Sequence, residues 1–238
     1  MSKTPTLEPI ADGVSLLRGG FGGAMNVVLI DEPDGSGVTV FDAGEKRMAQ
    51  AIAAAGAARG GIKRIVLGHA DNDHRGAAPH VDAPVYCHRL EVAAAEAGGH
   101  RDYWRMNELP LPVNLLHRTL MRISWEGGPT PIAGTVAEGD DVAGFRVVDL
   151  PGHAPGLIGL FRERDRVALV SDCIYMTSMY GKPQPPAVPL DPYNQDSDRA
   201  RASIAKLADL EPAIVVPGHL GPLTGPDVVP ALRRAAAG

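Results

Sequence analysis

The sequence predicts an α/β fold built in layers, and three observations carry that reading. Short runs rich in β-branched residues, such as NVVLID (26–31) and GVTVFD (37–42), read as strands. Stretches of helix-forming, alanine-rich composition alternate with them. The 28 Gly and 21 Pro divide the 238 residues into short elements joined by tight turns. With 45% hydrophobic and 21% charged residues the chain can bury a sizeable core, and a disordered chain or a coiled coil is excluded. The length exceeds the roughly 100–200 residues of an average domain, yet one layered core can use it. Residues 1–238 are therefore expected to form a single domain with a modest insertion.

In chain order, residues 13–18, 26–31 and 37–42 are strands of a meander, and the apolar runs of the second and third predict cover on both faces. Residues 45–59 shift to Ala, Met, Gln and Ile, a helix stopped by Gly60-Gly61. A strand at 64–67 ends in Gly68-His69; a second unit follows, with a strand at 83–87 and a helix at 89–97 closed by Gly98-Gly99. Residues 100–133 break the rhythm. They hold Trp104, Trp125, Pro110, Pro112, Pro129 and Pro131 among many leucines, and read as an insertion with one or two helices that forms a substrate lid. Strands return at 145–150, 157–162 and 167–171, the last two joined by the polar turn Glu163-Arg164-Asp165. A Pro-rich loop at 182–192 leads to a helix at 197–210, a strand at 213–216 and a last helix at 227–237.

Several function classes fall away on composition. The 23 Lys plus Arg against 28 Asp plus Glu leave a formal charge of −5, and no basic cluster exceeds a pair such as Arg233-Arg234, so nucleic acid is not an expected partner. No run approaches the ~20 apolar residues that cross a bilayer. The stretch MSKTPTLEPIADGVSLL lacks the charged-then-apolar order of a secretory signal. Cys87 and Cys173 make no disulfide framework, which fits a reducing compartment. The expectation is a soluble cytoplasmic protein that acts on a small molecule and touches no membrane; the oligomeric state is left open.

The chemistry concentrates where strands end. His69, Asp71, Asp73 and His74 are packed into GHADNDHRG after the strand RIVL; His153 sits in LPGHAPG after FRVVDL; Asp172 follows RVALVS; His219 sits in VPGH after AIVV. Each segment is a strand running into a small-residue turn with a potential metal ligand at its mouth, where a rigid scaffold positions loop-borne groups. Imidazole and carboxylate together suit Zn, Fe and Mn, and such a mixture lets a bound water lose its proton near neutral pH.

With these residues in this order the chain resembles the metallo-β-lactamase fold superfamily, particularly its glyoxalase-II-like hydrolases, over Asp42 to His219. The resemblance implies a four-layer αββα sandwich with a dinuclear site at one edge. It implies a first metal site of His69, Asp71 and His153, a second of Asp73, His74 and His219, Asp172 bridging both, and Asp42 supporting the metal loop from behind. A metal-bound hydroxide would attack the carbonyl of a small ester, thioester or lactone, with Asp73 orienting the nucleophile or passing on its proton. Two divalent ions are implied, zinc foremost.

Asp71 departs from the family pattern, which has His there. A harder, anionic ligand shifts preference towards iron or manganese. Four positive charges from two divalent ions then meet three carboxylates, leaving one positive charge before a hydroxide binds and none after. The alternatives are iron-dependent dioxygenation of a small thiol or persulfide, and a metal-binding homologue with reduced catalysis. The resemblance ends near the final His, 19 residues before the last residue, so the helical glutathione-binding domain of glyoxalase II is not expected. An Asp at the bridging position argues against true β-lactamase activity.

Trp104 and Tyr103 are candidates for an apolar lid, and Tyr175, Tyr180 and Tyr193 for substrate contact, where a phenol near the metals could donate to a developing oxyanion. A packed tyrosine is the plainer reading of each. His80, His88, His100 and His117 lie outside the pattern and read as surface or satisfied histidines, although His100 and His117 share the insertion and could touch substrate. Cys173 stands next to Asp172 and is read as facing away from the metals.

Overall fold

The computed structural model describes residues 6–99 and 103–238. Its first sheet runs in chain order: β1 (Leu7–Ala11), β2 (Val14–Gly19), β3 (Met25–Asp31), β4 (Val38–Phe41), β5 (Ile62–Val66), β6 (Val85–His88) and β7 (Gly134–Val136). β1 to β4 pair antiparallel and β4 to β7 parallel. Parallel neighbours need a crossover. Here α1 (Ala49–Ala57) joins β4 to β5, and the short α2 (Asn72–Arg75) lies between β5 and β6. Between β6 and β7 come α3 (Val92–Ala97), α4 (Leu111–Leu120) and a π-turn over Met121–Trp125.

The second sheet comprises β8 (Asp141–Val142), β9 (Phe145–Asp149), β10 (Ile158–Arg162) and β11 (Val167–Ser171). A ribbon of β12 (Tyr175–Thr177) and β13 (Pro183–Ala187) precedes α5 (Ser197–Asp209), the crossover to β14 (Ile214–Pro217), which pairs parallel with β11. β15 (Leu223–Thr224) and α6 (Val228–Ala237) complete the order, and the sheet reads β15-β14-β11-β10-β9-β8.

Three apolar layers show why the chain stacks as αββα. Strand side chains alternate between faces. Val28 and Ile30 of β3 join Phe145, Leu160 and Leu169 in the core between the two sheets, while Val27 and Leu29 turn to the other face and meet Ile52 of α1. In β11, Val167 and Leu169 face the inter-sheet core; Ala168 and Val170 pack with Ile204 of α5 and Leu232 of α6. Strands buried on both faces are the physical meaning of the unbroken apolar runs.

The Pro-rich stretch at 182–192 is not simply a loop, because its first half is the strand β13. Pro183, Pro185 and Pro186 are compatible with a two-stranded ribbon, where proline can occupy edge positions that need no donor. The edge strands β1, β7, β8 and β15 escape a reading by pattern because they are only two to five residues long. The helix read at 89–97 starts later, at Val92. Among the described residues no helix is long and apolar enough to cross a membrane.

Candidate metal centre

β9 and β11 both run antiparallel to β10, and β14 runs parallel to β11, so these three strands end at the same sheet edge. β4 and β5 likewise run together in the first sheet. The turns after these five strands carry Asp42, His69, His153, Asp172 and His219. In the turn after β5, Asp71 keeps extended backbone (φ −66°, ψ 149°) and α2 begins at the next residue, which separates Asp71 from Asp73 and His74.

All seven sequence-predicted ligands meet there. Their donor atoms form three groups, each within 4.8 Å: His69, Asp71 and His153; His69, His74 and Asp172; Asp73, His74 and His219. Asp71 Oδ2 lies 3.4 Å from His69 Nε2 and 3.2 Å from His153 Nε2. Asp172 lies between the outer groups, 3.1 Å from His74 Nε2, 3.6 Å from His153 Nε2 and 3.4 Å from His219 Nε2. Asp73 Oδ2 is 3.6 Å from His219 Nε2.

The donor set fits divalent cations. His69 Nε2 is buried without a hydrogen-bond partner, and an orphaned buried polar atom costs about 1–3 kcal/mol. Three of the rings point Nε2 into the cluster while Nδ1 is held from behind, as metal-ligating imidazoles usually are. His69 Nδ1 meets Ser171 Oγ at 3.1 Å, His74 Nδ1 meets Asp42 Oδ2 at 3.0 Å, and His153 Nδ1 meets Asn194 Oδ1 at 3.3 Å. Asp42 also accepts from Gly68 N at 2.7 Å and from Ser171 Oγ at 2.7 Å. Asp42 and Ser171 both hold left-handed backbone (φ 58° and 45°), a conformation that persists where surrounding contacts over-determine it.

Burial works against the charged forms of Asp71, His74, His153 and Asp172, and their neighbours more than offset it. The His69 and His153 rings hold the Asp71 carboxyl well below the usual carboxylate range. His74 and His219 do the same for Asp172. In return Asp172 and Asp42 raise His74 far above an ordinary imidazole, and Asp71 with Asp172 raises His153. Without cations, the acids and imidazoles stabilise one another's charged forms.

Two glycines singled out beside the histidines are required by close approach. A Cβ on Gly218 would overlap Asp172 Oδ1 and His74, and one on Gly68 would overlap the Ser171 side chain.

Several supporting residues carry no motif signal. Buried Glu91 accepts from Ala70 N at 2.8 Å and Gly156 N at 2.7 Å, clamping the loops that carry His69 and His153 together. Fully buried Arg75 donates to Ala70 O, Asn72 Oδ1, Thr130 Oγ1 and Gly128 O, tying the metal loop to the end of the insertion. Tyr103 donates to Asp71 Oδ1 at 3.2 Å.

A cavity of about 440 Å³ opens over the cluster. Trp104, Met106, Leu116, His117, Leu120 and Trp125 of the 100–133 segment line it together with Tyr175, Tyr193 and Val188. Leu109 and Val113 pack on Tyr193. Tyr175 stacks against His219 and His153, with ring centroids 5.5 and 5.9 Å apart, and burial followed by the charges of Asp172 and Asp73 holds its phenol protonated. Tyr180 stands at the rim, 67% exposed. His117 is a cavity residue rather than a remote one, its Nδ1 3.4 Å from Tyr193 Oη. His80 is exposed and His88 receives Leu90 N, as plain histidines do. His100 lies outside the described residues. Cys173 sits past the end of β11 and packs into the outer core with Ile204 and Leu207.

Comparison with known proteins agrees with this layout. The sequence model described as the metallo-beta-lactamase superfamily matches residues 20–219. The probable metallo-hydrolase YflN of Bacillus subtilis (strain 168) is 31% identical over 216 residues, spanning 83% of this chain and 76% of that protein. The metallo-beta-lactamase family protein TTHA1429 of Thermus thermophilus superposes with a TM-score of 0.64 at 24% identity, over 95% of this chain and 78% of its own. TTHA1623 in a di-iron-bound form gives 0.66 at 22% identity, over 92% and 97%.

Proposed function

This chain belongs to the metallo-beta-lactamase superfamily, and from that premise we propose that it hydrolyses a small ester, thioester or lactone with two divalent cations. Seven converging acid and imidazole side chains, five of which (Asp71, Asp73, His153, Asp172 and His219) line a roughly 440 Å³ cavity, support this reading above all else. His69, Asp71 and His153 would hold one ion and Asp73, His74 and His219 the other, with Asp172 shared. Bound there, the ions supply Lewis acidity and bring the pKa of water towards neutrality.

The chain's own groups do the rest. Asp73 Oδ2 faces the cavity floor beside His219 and orients the attacking water, accepting its proton as the oxygen adds to the carbonyl carbon. Tyr175, kept protonated, donates to the oxygen on which negative charge grows. When the acyl C–O or C–S bond breaks, its electron pair leaves on the alcohol or thiol, which takes the proton from Asp73. Tyr193 and the insertion, acting as a lid, hold the apolar part of the substrate and exclude water.

The test is a panel of a phenyl ester, an acyl thioester and a γ-lactone against protein loaded separately with Zn, Mn and Fe. Turnover of at least one probe, abolished by chelation and restored by metal, is expected. Inertness towards all three at full metal occupancy would reject hydrolysis. Oxygen uptake by the iron form with a small persulfide would then favour the dioxygenase reading, to which the harder ligand Asp71 lends itself.

A further inference from the structure

We propose that the cavity accepts neutral, apolar substrates and refuses anionic ones, and that Asp71 sets this charge preference; the inference rests on the hydrolase reading and narrows its substrate class.

The walls are of two kinds. Trp104, Leu116, Leu120, Trp125, Val188 and Leu190 make an apolar surface large enough for a phenyl or hexyl group. The charged lining is acidic: Glu45, Asp71, Asp73 and Asp172, with no Lys or Arg on the wall among the described residues. Glu45 is buried to 1% exposure and fixed in place, accepting from Phe21 N at 2.6 Å and from the Ser124 hydroxyl. Two divalent ions would supply four positive charges against these four carboxylates. A substrate carboxylate or phosphate therefore enters a cavity with no net positive charge, and gives up its hydration for apolar walls. With His in place of Asp71 the same count would leave one net positive charge before a hydroxide binds, and an anion would be attracted to it. Asp71, which departs from the family pattern, thus converts an anion-accepting floor into a neutral one. The same balance favours release of the carboxylate that hydrolysis forms.

Trp104 and Trp125 are the only two tryptophans of the chain and both line the cavity, so intrinsic fluorescence reports directly on binding. Metal-loaded protein is titrated with hexanamide and hexanoate, equal in shape and different in charge, and kcat/KM is measured for phenyl butyrate and 4-carboxyphenyl butyrate. Binding and turnover of the neutral member are expected to exceed those of the anion by about tenfold or more. Asp71→His should narrow both gaps. Leu116→Lys, at a 39% exposed lid position outside the metal machinery, should strengthen hexanoate binding by adding a cation to the wall. Hexanoate binding as tightly as hexanamide, or equal turnover of both esters, overturns the proposal while hydrolysis stands. A preference for hexanamide with neither ester cleaved supports the charge preference and rejects hydrolysis instead.

Discussion

The Tyr103 hydroxyl donates to Asp71 Oδ1 at 3.2 Å, joining the 100–133 segment to the group of His69, Asp71 and His153. The same segment reaches a second member of that group. Arg105 Nη2 donates to Asp191 O at 2.5 Å, and its backbone N donates to Pro192 O at 2.9 Å, which pins the turn leading to Asn194. Asn194 in turn meets His153 Nδ1. The group of Asp73, His74 and His219 instead takes support from Asp42, at the end of β4. Asp71 and His153 therefore lean on the 100–133 segment, while His69 and His74 are held from the sheet ends by Ser171 and Asp42.

Tyr103→Phe should accordingly weaken one ion selectively. Outer partners of metal ligands are typically worth about 10–100-fold in affinity. Stepwise competition titration should show the weaker step losing roughly tenfold while the tighter step keeps its constant; equal weakening of both, or of neither, would contradict the division.

Exchanging Asp71 itself should change which metal binds and how the site responds to pH. Asp71→His removes one negative charge, moves preference towards zinc and makes the bound water more acidic, so the limb on which activity rises with pH shifts to lower pH. Asp71→Ala should weaken binding at the first position and leave the second filled. Unaltered stoichiometry, preference and profile in both variants would show that Asp71 is no ligand.

The metal-free protein should lose stability as the pH rises above neutrality. His74 and His153 have folded pKa values raised above 6.5, so their contribution is complete below that value and fades as the pH climbs through the raised ones. Asp71 and Asp172 are held below 3.8, so theirs is present above that value and lost on acidification. Cations must displace the imidazole protons, and uptake should tighten by about tenfold per pH unit for each proton released. Calorimetric melting of metal-free protein alongside metal titrations from about pH 6 to pH 8 checks both trends. A flat metal-free Tm together with pH-independent uptake would sink the account.

Removing a lid aromatic should affect substrate and spare metal. Trp104→Ala takes away a large apolar face and should raise KM roughly tenfold with kcat and metal content nearly unchanged. Unchanged KM across several substrates would show that the insertion is only a satellite core.

The strand ends and what they carry can be read from the residues alone. A strand running into a small-residue turn is written in consecutive residues, so GHADNDHRG, LPGH, VSD and VPGH were legible, as were the runs buried on both faces. The Asp172 position is legible for the same reason, whereas the supporting role of Asp42 follows only from the family resemblance. Which groups hold these side chains in place depends on packing between distant segments. Ser171 meets Asp42 across 129 positions, Glu91 meets Gly156 across 65, and Glu45 meets Ser124 across 79. No local pattern encodes such contacts, because a hydroxyl or carboxylate becomes a support only when packing brings a distant donor or acceptor to it and removes water from both. His117 illustrates the point: an ordinary histidine in its own stretch of sequence, it reaches the cavity because Val113 and Leu120 bury the inner side of α4 and turn its ring towards Tyr193.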